Sequence, residues 1–421
     1  MKILLAFPRP LVPADSGGKI RSLNIFSRLA QRAEVHAVSL ADPGRDAEGI
    51  REMQQMFASY TPVFWRESMK YSPRFYVELL VNQLSPLPYF VAKCCRPEFT
   101  QALRTLAQSH KFDLLFCDCL QTAAPALELS MRPRMVFEHN VESLLRKRQW
   151  QAETMPLKRR IFAGEWKKTL KLETRICRSF DHVVSVSEED RRAFRREFGV
   201  THVSTIPAGV DAEYFHPPLV PPQPGRLVFV GAMDWYPNED GVVWFLQKVF
   251  PRICQVNPCA PFKIVGQNPS SRLRRTAATN PAVELVGRVP DVRPHVAQAE
   301  IVVVPLRVGG GTRIKIPEAM AMAKAVVSTH IGAEGLPFRN GCEICLEDDP
   351  EAFSLTVIDL LRNPSRRRAI EKAARERVVR DHSWESVVDR VEEILVRVNE
   401  NFRTGAVAPV SGRDCPAIHK S

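Results

Sequence analysis

Residues 309–318, Gly-Gly-Gly-Thr-Arg-Ile-Lys-Ile-Pro-Glu, gather side chains suited to anions and diols into one short stretch. The apolar run at 301–305 before it reads as a buried strand, and the Ala-Met-Ala-Met after it as a helix. A glycine-rich loop between strand and helix exposes backbone N–H groups where the helix dipole favours negative charge. Gly310, Gly311 and Thr312 are its expected cradle, and Arg313 and Lys315 add two positive charges. Glu318 adds a carboxylate able to accept two hydroxyl hydrogen bonds. Diphosphate plus diol is the chemical outline of a nucleotide sugar. Arg313 and Lys315 are then the catalytic candidates, because fixed charge at a departing diphosphate is a large term, with loss of one donor costing about 100- to 1000-fold.

The first half offers a second set. Gly17 and Gly18 follow the first expected strand, where the lack of a side chain lets a phosphate or sugar ring approach. Lys19 and Arg21 next to them are candidates for acceptor or phosphate, or solvated charges on the first helix. His139 ends a strand in Phe-Glu-His-Asn, and Glu142 is a weaker candidate for acceptor deprotonation.

The elements that must hold these residues follow from periodicity. Strands are expected at 2–7, 34–40, 112–118, 134–140, 182–187 and 203–207, alternating with amphipathic stretches such as 20–30, where Leu23, Ile25, Phe26 and Leu29 share a side. Five prolines and a glycine in the eleven residues 215–225 cannot continue a helix or central strand, so 217–225 reads as an interdomain linker. The rhythm restarts at 227–231, 262–266, 283–287, 301–305 and 325–329. The expected architecture is α/β: two Rossmann-like domains, 1–216 for acceptor and 226–385 for nucleotide sugar, facing a cleft. A helix over 386–403, with Ser383 as a plausible cap, is expected to pack back on the first domain, and 404–421 to be a disordered tail.

A chain of 421 residues exceeds what one core usually organises. No apolar run approaches the about 20 residues that span a bilayer, and the N-terminus reads as a strand rather than a signal peptide, so a cytoplasmic protein is expected. The ten cysteines show no paired C-x-x-C and read as reduced thiols; no metal site is expected. Of the net charge of +12, residues 141–180 hold +7, from eleven Lys or Arg against four Glu. That window suits either a solvated helix pair or an anionic membrane surface at the inner face of the plasma membrane. Aromatic residues do not interleave with the charge in a nucleic-acid pattern, so no nucleic-acid partner is expected.

The second half resembles retaining glycosyltransferases of family four, with the GT-B fold, through 227–238 (Leu-Val-Phe-Val-Gly-Ala-Met-Asp-Trp-Tyr-Pro-Asn), 262–266, 283–289 and 309–329. The first half joins the resemblance through 15–22, 138–143 (Glu-His-Asn-Val-Glu-Ser), 184–188 and 206–211. Within that family the chain looks most like bacterial transferases of exopolysaccharide synthesis. The resemblance implies transfer of a sugar from a nucleotide-diphosphate sugar to a saccharide or lipid-linked acceptor, with retention of configuration and no cofactor beyond the donor. It implies a polar contact from His139 to the reacting sugar, donor contacts at Gly231, and a base held near Gly287, Arg288 and Val289. Gly310 stands where the family usually has a first glutamate, and Met233 and Pro237 lie near its usual Arg and Lys. Two other readings share the architecture: a nucleotide-sugar 2-epimerase, and a binding protein that lost catalysis with that glutamate.

Overall fold

The computed structural model describes residues 1–69, 72–153, 155–257, 260–308 and 313–405. The chain divides into two compact units, Met1–Ile206 with Val388–Ser421, and Pro207–Val387.

Unit one is a parallel sheet of β1 (Lys2–Phe7), β2 (Glu34–Ala41), β3 (Ser59–Phe64), β4 (Leu114–Asp118), β5 (Arg134–Phe137), β6 (His182–Ser185) and β7 (Val203–Thr205). Its order is β3-β2-β1-β4-β5-β6-β7. The chain winds outward from β1 to β3, then returns to the other side of β1 to start β4. Strand direction is shared, so a crevice opens at the carboxyl ends of β1 and β4, where the winding reverses. β1 and β4 are almost wholly buried because helices cover both faces of a parallel sheet.

Unit two repeats the scheme with β8 (Leu227–Val230), β9 (Phe262–Val265), β10 (Val283–Gly287), β11 (Ile301–Val304), β12 (Ala325–Ser328) and β13 (Cys345–Leu346), in the order β10-β9-β8-β11-β12-β13. Its reversal falls between β8 and β11. Phe229, Phe245, Phe250 and Phe262 are buried in its core. The α/β architecture of two parallel sheets in two units expected from the motifs is therefore the one observed. β3 and β13 were not anticipated: both are edge strands, and β3 carries a proline and a half-buried pattern without clear alternation.

Three boundaries differ from expectation. The units part at Ile206/Pro207, so the proline-rich 217–225 belongs to unit two rather than joining the units. Gln223 N donates to Gln298 O at 2.9 Å and Gly225 N to Glu300 Oε2 at 2.7 Å, which ties it down. The last helix, Trp384–Thr404, starts with Ser383 Oγ accepting from Ser386 N at 3.2 Å and runs through 404 instead of ending before it. From Val388 onward it counts with unit one, where Arg32 pairs with Asp389 and Glu392, and Arg403 with Asp113. Residues 406–421 lie outside the described residues.

Candidate functional site

At the reversal point of unit one, β4 ends on Asp118, and β5 is followed at once by Glu138 and His139. Helix Gly17–Leu29 comes in beside them, with Ser16 as its cap. Its buried face is Arg21, Ser22, Ile25, Phe26 and Leu29, so two polar residues take the place that Leu23 was expected to fill. Ser22 Oγ donates to Asp118 Oδ2 at 2.8 Å, and His139 Nε2 meets Asp118 Oδ1 at 2.7 Å. An ionised carboxylate only accepts, so Nε2 carries the ring proton. His139 Nδ1 is buried and has no hydrogen-bond partner among the described residues, while the Phe137 ring lies 4.6 Å away, centroid to centroid.

Arg21 does not solvate the helix, as one reading of the sequence had it. It is buried, and burial pulls its guanidinium down to about 10 against the opposing pull of Asp190 and Asp118. Lys19 is tied locally, its Nζ 3.2 Å from Pro13 O and 3.3 Å from Asp15. A Cβ at Gly18 would meet nothing within 4 Å, so the space in front of this turn is open. Glu142 starts the helix Glu142–Ala152, close to Arg146 and Asn140, and burial raises its carboxyl. Glu138 is fully enclosed, with neither oxygen bonded among the described residues; burial first, then Glu173, Glu142 and Asp118, push its carboxyl well above the usual range.

In unit two the reversal point lies between Gly231, just after β8, and the loop after β11. Gly310, Gly311 and Thr312 fall outside the described residues. The helix Lys315–Ala321 begins earlier than the apolar Ala-Met-Ala-Met suggested. Lys315 and Glu318 are three residues apart on it, hence on one face. Lys315 Nζ donates to Asn238 Oδ1 at 2.8 Å and sits 4.3 Å from the Phe229 ring centroid. A Cβ at Gly231 would come within 2.7 Å of both Lys315 Nζ and Asn238 Nδ2, so a side chain there would displace this pair. Burial, then Arg313, lowers the Lys315 ammonium to about 7, partly offset by Glu318; burial raises the Glu318 carboxyl to about 7, partly offset by Lys315. The two line a small cavity with Phe215, Val230 and Met322.

Arg313 is buried, donates to Ile331 O at 3.1 Å and lies 4.0 Å from Glu334. Gly287 has φ of +82°, a left-handed turn that favours glycine and ends the edge strand β10 at a register shift. Arg288 beyond it is exposed and Val289 packs against the core. The structure thus joins Lys315, Glu318 and Gly231 in one unit, and places His139, Arg21 and Glu142 around β4 and β5 in the other. Sequence reasoning missed Asp118, Ser22 and Asn238. Strand-end position was the signal available for Asp118, and membership of the 15–22 and 227–238 motifs the signal for Ser22 and Asn238.

Comparison with known proteins bears on both halves. Residues 16–214 match the family model described as Glycosyltransferase Family 4, and 224–363 the model described as Glycosyl transferases group 1. A GDP-mannose-dependent monoacylated alpha-(1-6)-phosphatidylinositol monomannoside mannosyltransferase of Corynebacterium glutamicum is 27% identical over 240 residues, 51% of this chain and 62% of that protein. An uncharacterized 44.6 kDa protein in the cps region of Klebsiella pneumoniae is 24% identical over 272 residues, 62% of this chain and 69% of that one. Among solved structures, Anabaena HepE in complex with UDP superposes with a TM-score of 0.66 at 13% identity, over 94% of this chain and 100% of that one. Sucrose-phosphate synthase from Thermosynechococcus elongatus gives 0.62 at 16%, over 94% and 99%. Among the described residues no helix is long and apolar enough to cross a membrane.

Proposed function

We propose that this chain, a family-four-like glycosyltransferase with the GT-B fold, moves a sugar from a nucleotide-diphosphate sugar to a saccharide or lipid-linked acceptor with retention of configuration. The observation that carries the donor assignment is the Lys315–Glu318 pair on one helical turn at the reversal point of unit two, with Lys315 held by Asn238 in space that Gly231 leaves clear. In this reading Lys315 and Arg313 neutralise the departing diphosphate, and Glu318 accepts the two ribose hydroxyls. Side-chain cations do the work of a metal ion at that diphosphate. The donor class is supported by HepE, solved with UDP, and by the GDP-mannose-dependent relative.

His139 is the proposed polar contact to the reacting sugar, with Nδ1, enclosed in the structure, accepting a hydroxyl once its surroundings shift to uncover it. The link to cell-surface glycan or exopolysaccharide synthesis rests on the relative in the cps region. The test is incubation with a panel of UDP and GDP sugars, with and without lipid and oligosaccharide extracts, followed by proton NMR. A glycoside product in the donor's anomeric configuration, formed only with acceptor, is expected. A new nucleotide sugar formed without acceptor would make the protein an epimerase, and inversion would refute retention.

A further inference from the structure

Helix Pro73–Val81 buries none of its residues. Val77, Leu80, Val81 and Leu84 recur at helical spacing on it and on the single turn Asn82–Leu84 that continues it, and they are 58–92% exposed. The half-buried side turned to the protein carries Phe75, Glu78 and Leu79, and Glu78 accepts from Ser68 Oγ at 2.6 Å, Arg74 Nε at 3.0 Å and Tyr89 Oη at 3.2 Å. A surface helix ordinarily turns its apolar stripe inward, so a contiguous stripe left outward marks a surface with a partner.

The neighbouring element says which partner. Lys168 Nζ donates to Asn82 O at 2.6 Å, which fixes this turn against the long basic helix Pro156–Ser179. That helix opens with Leu157 exposed, and its Lys158, Arg160, Lys167 and Lys171 are exposed too; among the described residues none of these four cations has an ion pair. A second copy of the chain would bring the same uncompensated cations against these. An anionic headgroup layer would neutralise them while the stripe entered the acyl boundary. One apolar anchor with a polybasic patch is the two-signal arrangement that gives stable yet reversible membrane attachment.

We infer that the 77–84 apolar stripe and the cations of Pro156–Ser179 seat unit one on an anionic lipid bilayer. This surface is independent of the donor site, so its test is a binding assay. Full-length protein should sediment with vesicles of phosphatidylglycerol and phosphatidylcholine in equal parts, and not with phosphatidylcholine alone. Val77→Ser with Leu80→Ser and Leu84→Ser should lower vesicle affinity by about tenfold or more, with the melting temperature unchanged because these side chains are exposed. Lys158→Gln with Arg160→Gln and Lys167→Gln should remove the salt-sensitive part of the binding. Leu84→Trp should shift its emission to the blue on anionic vesicles. Failure to sediment, equal binding by wild type and the stripe variant, or a wild-type dimer that the stripe variant converts to monomer would each overturn the assignment.

Discussion

The Nε2 proton of His139 is committed to Asp118, and this decides what the ring can do. With Ser22 holding the other carboxylate oxygen, the imidazole is held in orientation with Nδ1 as its acceptor nitrogen. Asp118→Asn offers an amide that can donate to Nε2 and invert the tautomer. Turnover should then fall by about 100-fold with donor affinity little changed. Nitrogen-15 NMR of the imidazole should show the proton moving from Nε2 to Nδ1; an unaltered tautomer would refute the positioning role. Lys315 makes a second test. A diphosphate binds the ammonium form, whose proton leaves the free protein near pH 7. Above about pH 7 donor affinity should therefore decline as Lys315 loses its proton. Below about pH 7 it should also fall, as Glu318 takes one up and accepts the ribose hydroxyls less well, so that affinity peaks near pH 7. Lys315→Arg, charged at every accessible pH, should flatten the alkaline decline even where its different shape weakens binding. A pH-independent wild-type affinity would remove Lys315 from the diphosphate site. Lys315 and Glu318 were legible in the sequence because charge and carboxylate cluster beside glycines. Asp118 was not, because its neighbours Cys117 and Cys119 draw attention to thiols, which are free here.

At the scale of elements, the helix Glu142–Ala152 has no side chain of its own at the cap. Glu173, thirty residues away on Pro156–Ser179, accepts from Ser143 N at 2.9 Å and from Glu142 N at 2.8 Å. Removing it strands two backbone donors in a buried place, so Glu173→Ala should cost about 1–3 kcal/mol in a urea titration. Its pH dependence has a definite sign. Burial raises the carboxyl from 4.5 to about 7, so the folded state holds the proton more tightly than the unfolded one. Its contribution to stability is full below about pH 4.5 and declines as pH rises through 7, and the alanine variant should lack that part of the slope. Parallel slopes for the two proteins would show that Glu173 does not titrate in this way. Buried strands were readable to within a few residues because β-branched runs such as 301–304 admit little else. Helix faces were less so. Gly17–Leu29 buries Arg21 and Ser22, and no hydrophobic period reveals a polar residue turned inward for function.

Across the whole molecule, each unit places its polar residues where the strand order reverses, β1 against β4 and β8 against β11. The repeated strand rhythm made the two sheets legible, and the ordered motifs the family resemblance. The division at Ile206/Pro207 was not legible, because proline content marks an irregular chain and not which unit it packs against. In the proposed reading the donor diphosphate sits on Lys315. Calorimetric titration of the full-length protein with a panel of UDP and GDP sugars, alongside Lys315→Ala, tests it most directly. At least one donor should bind the wild type, with affinity falling by about 10- to 100-fold in the variant, the loss expected for a charged hydrogen bond. Absence of binding by every donor in the panel, or equal affinity in the two proteins, would contradict it.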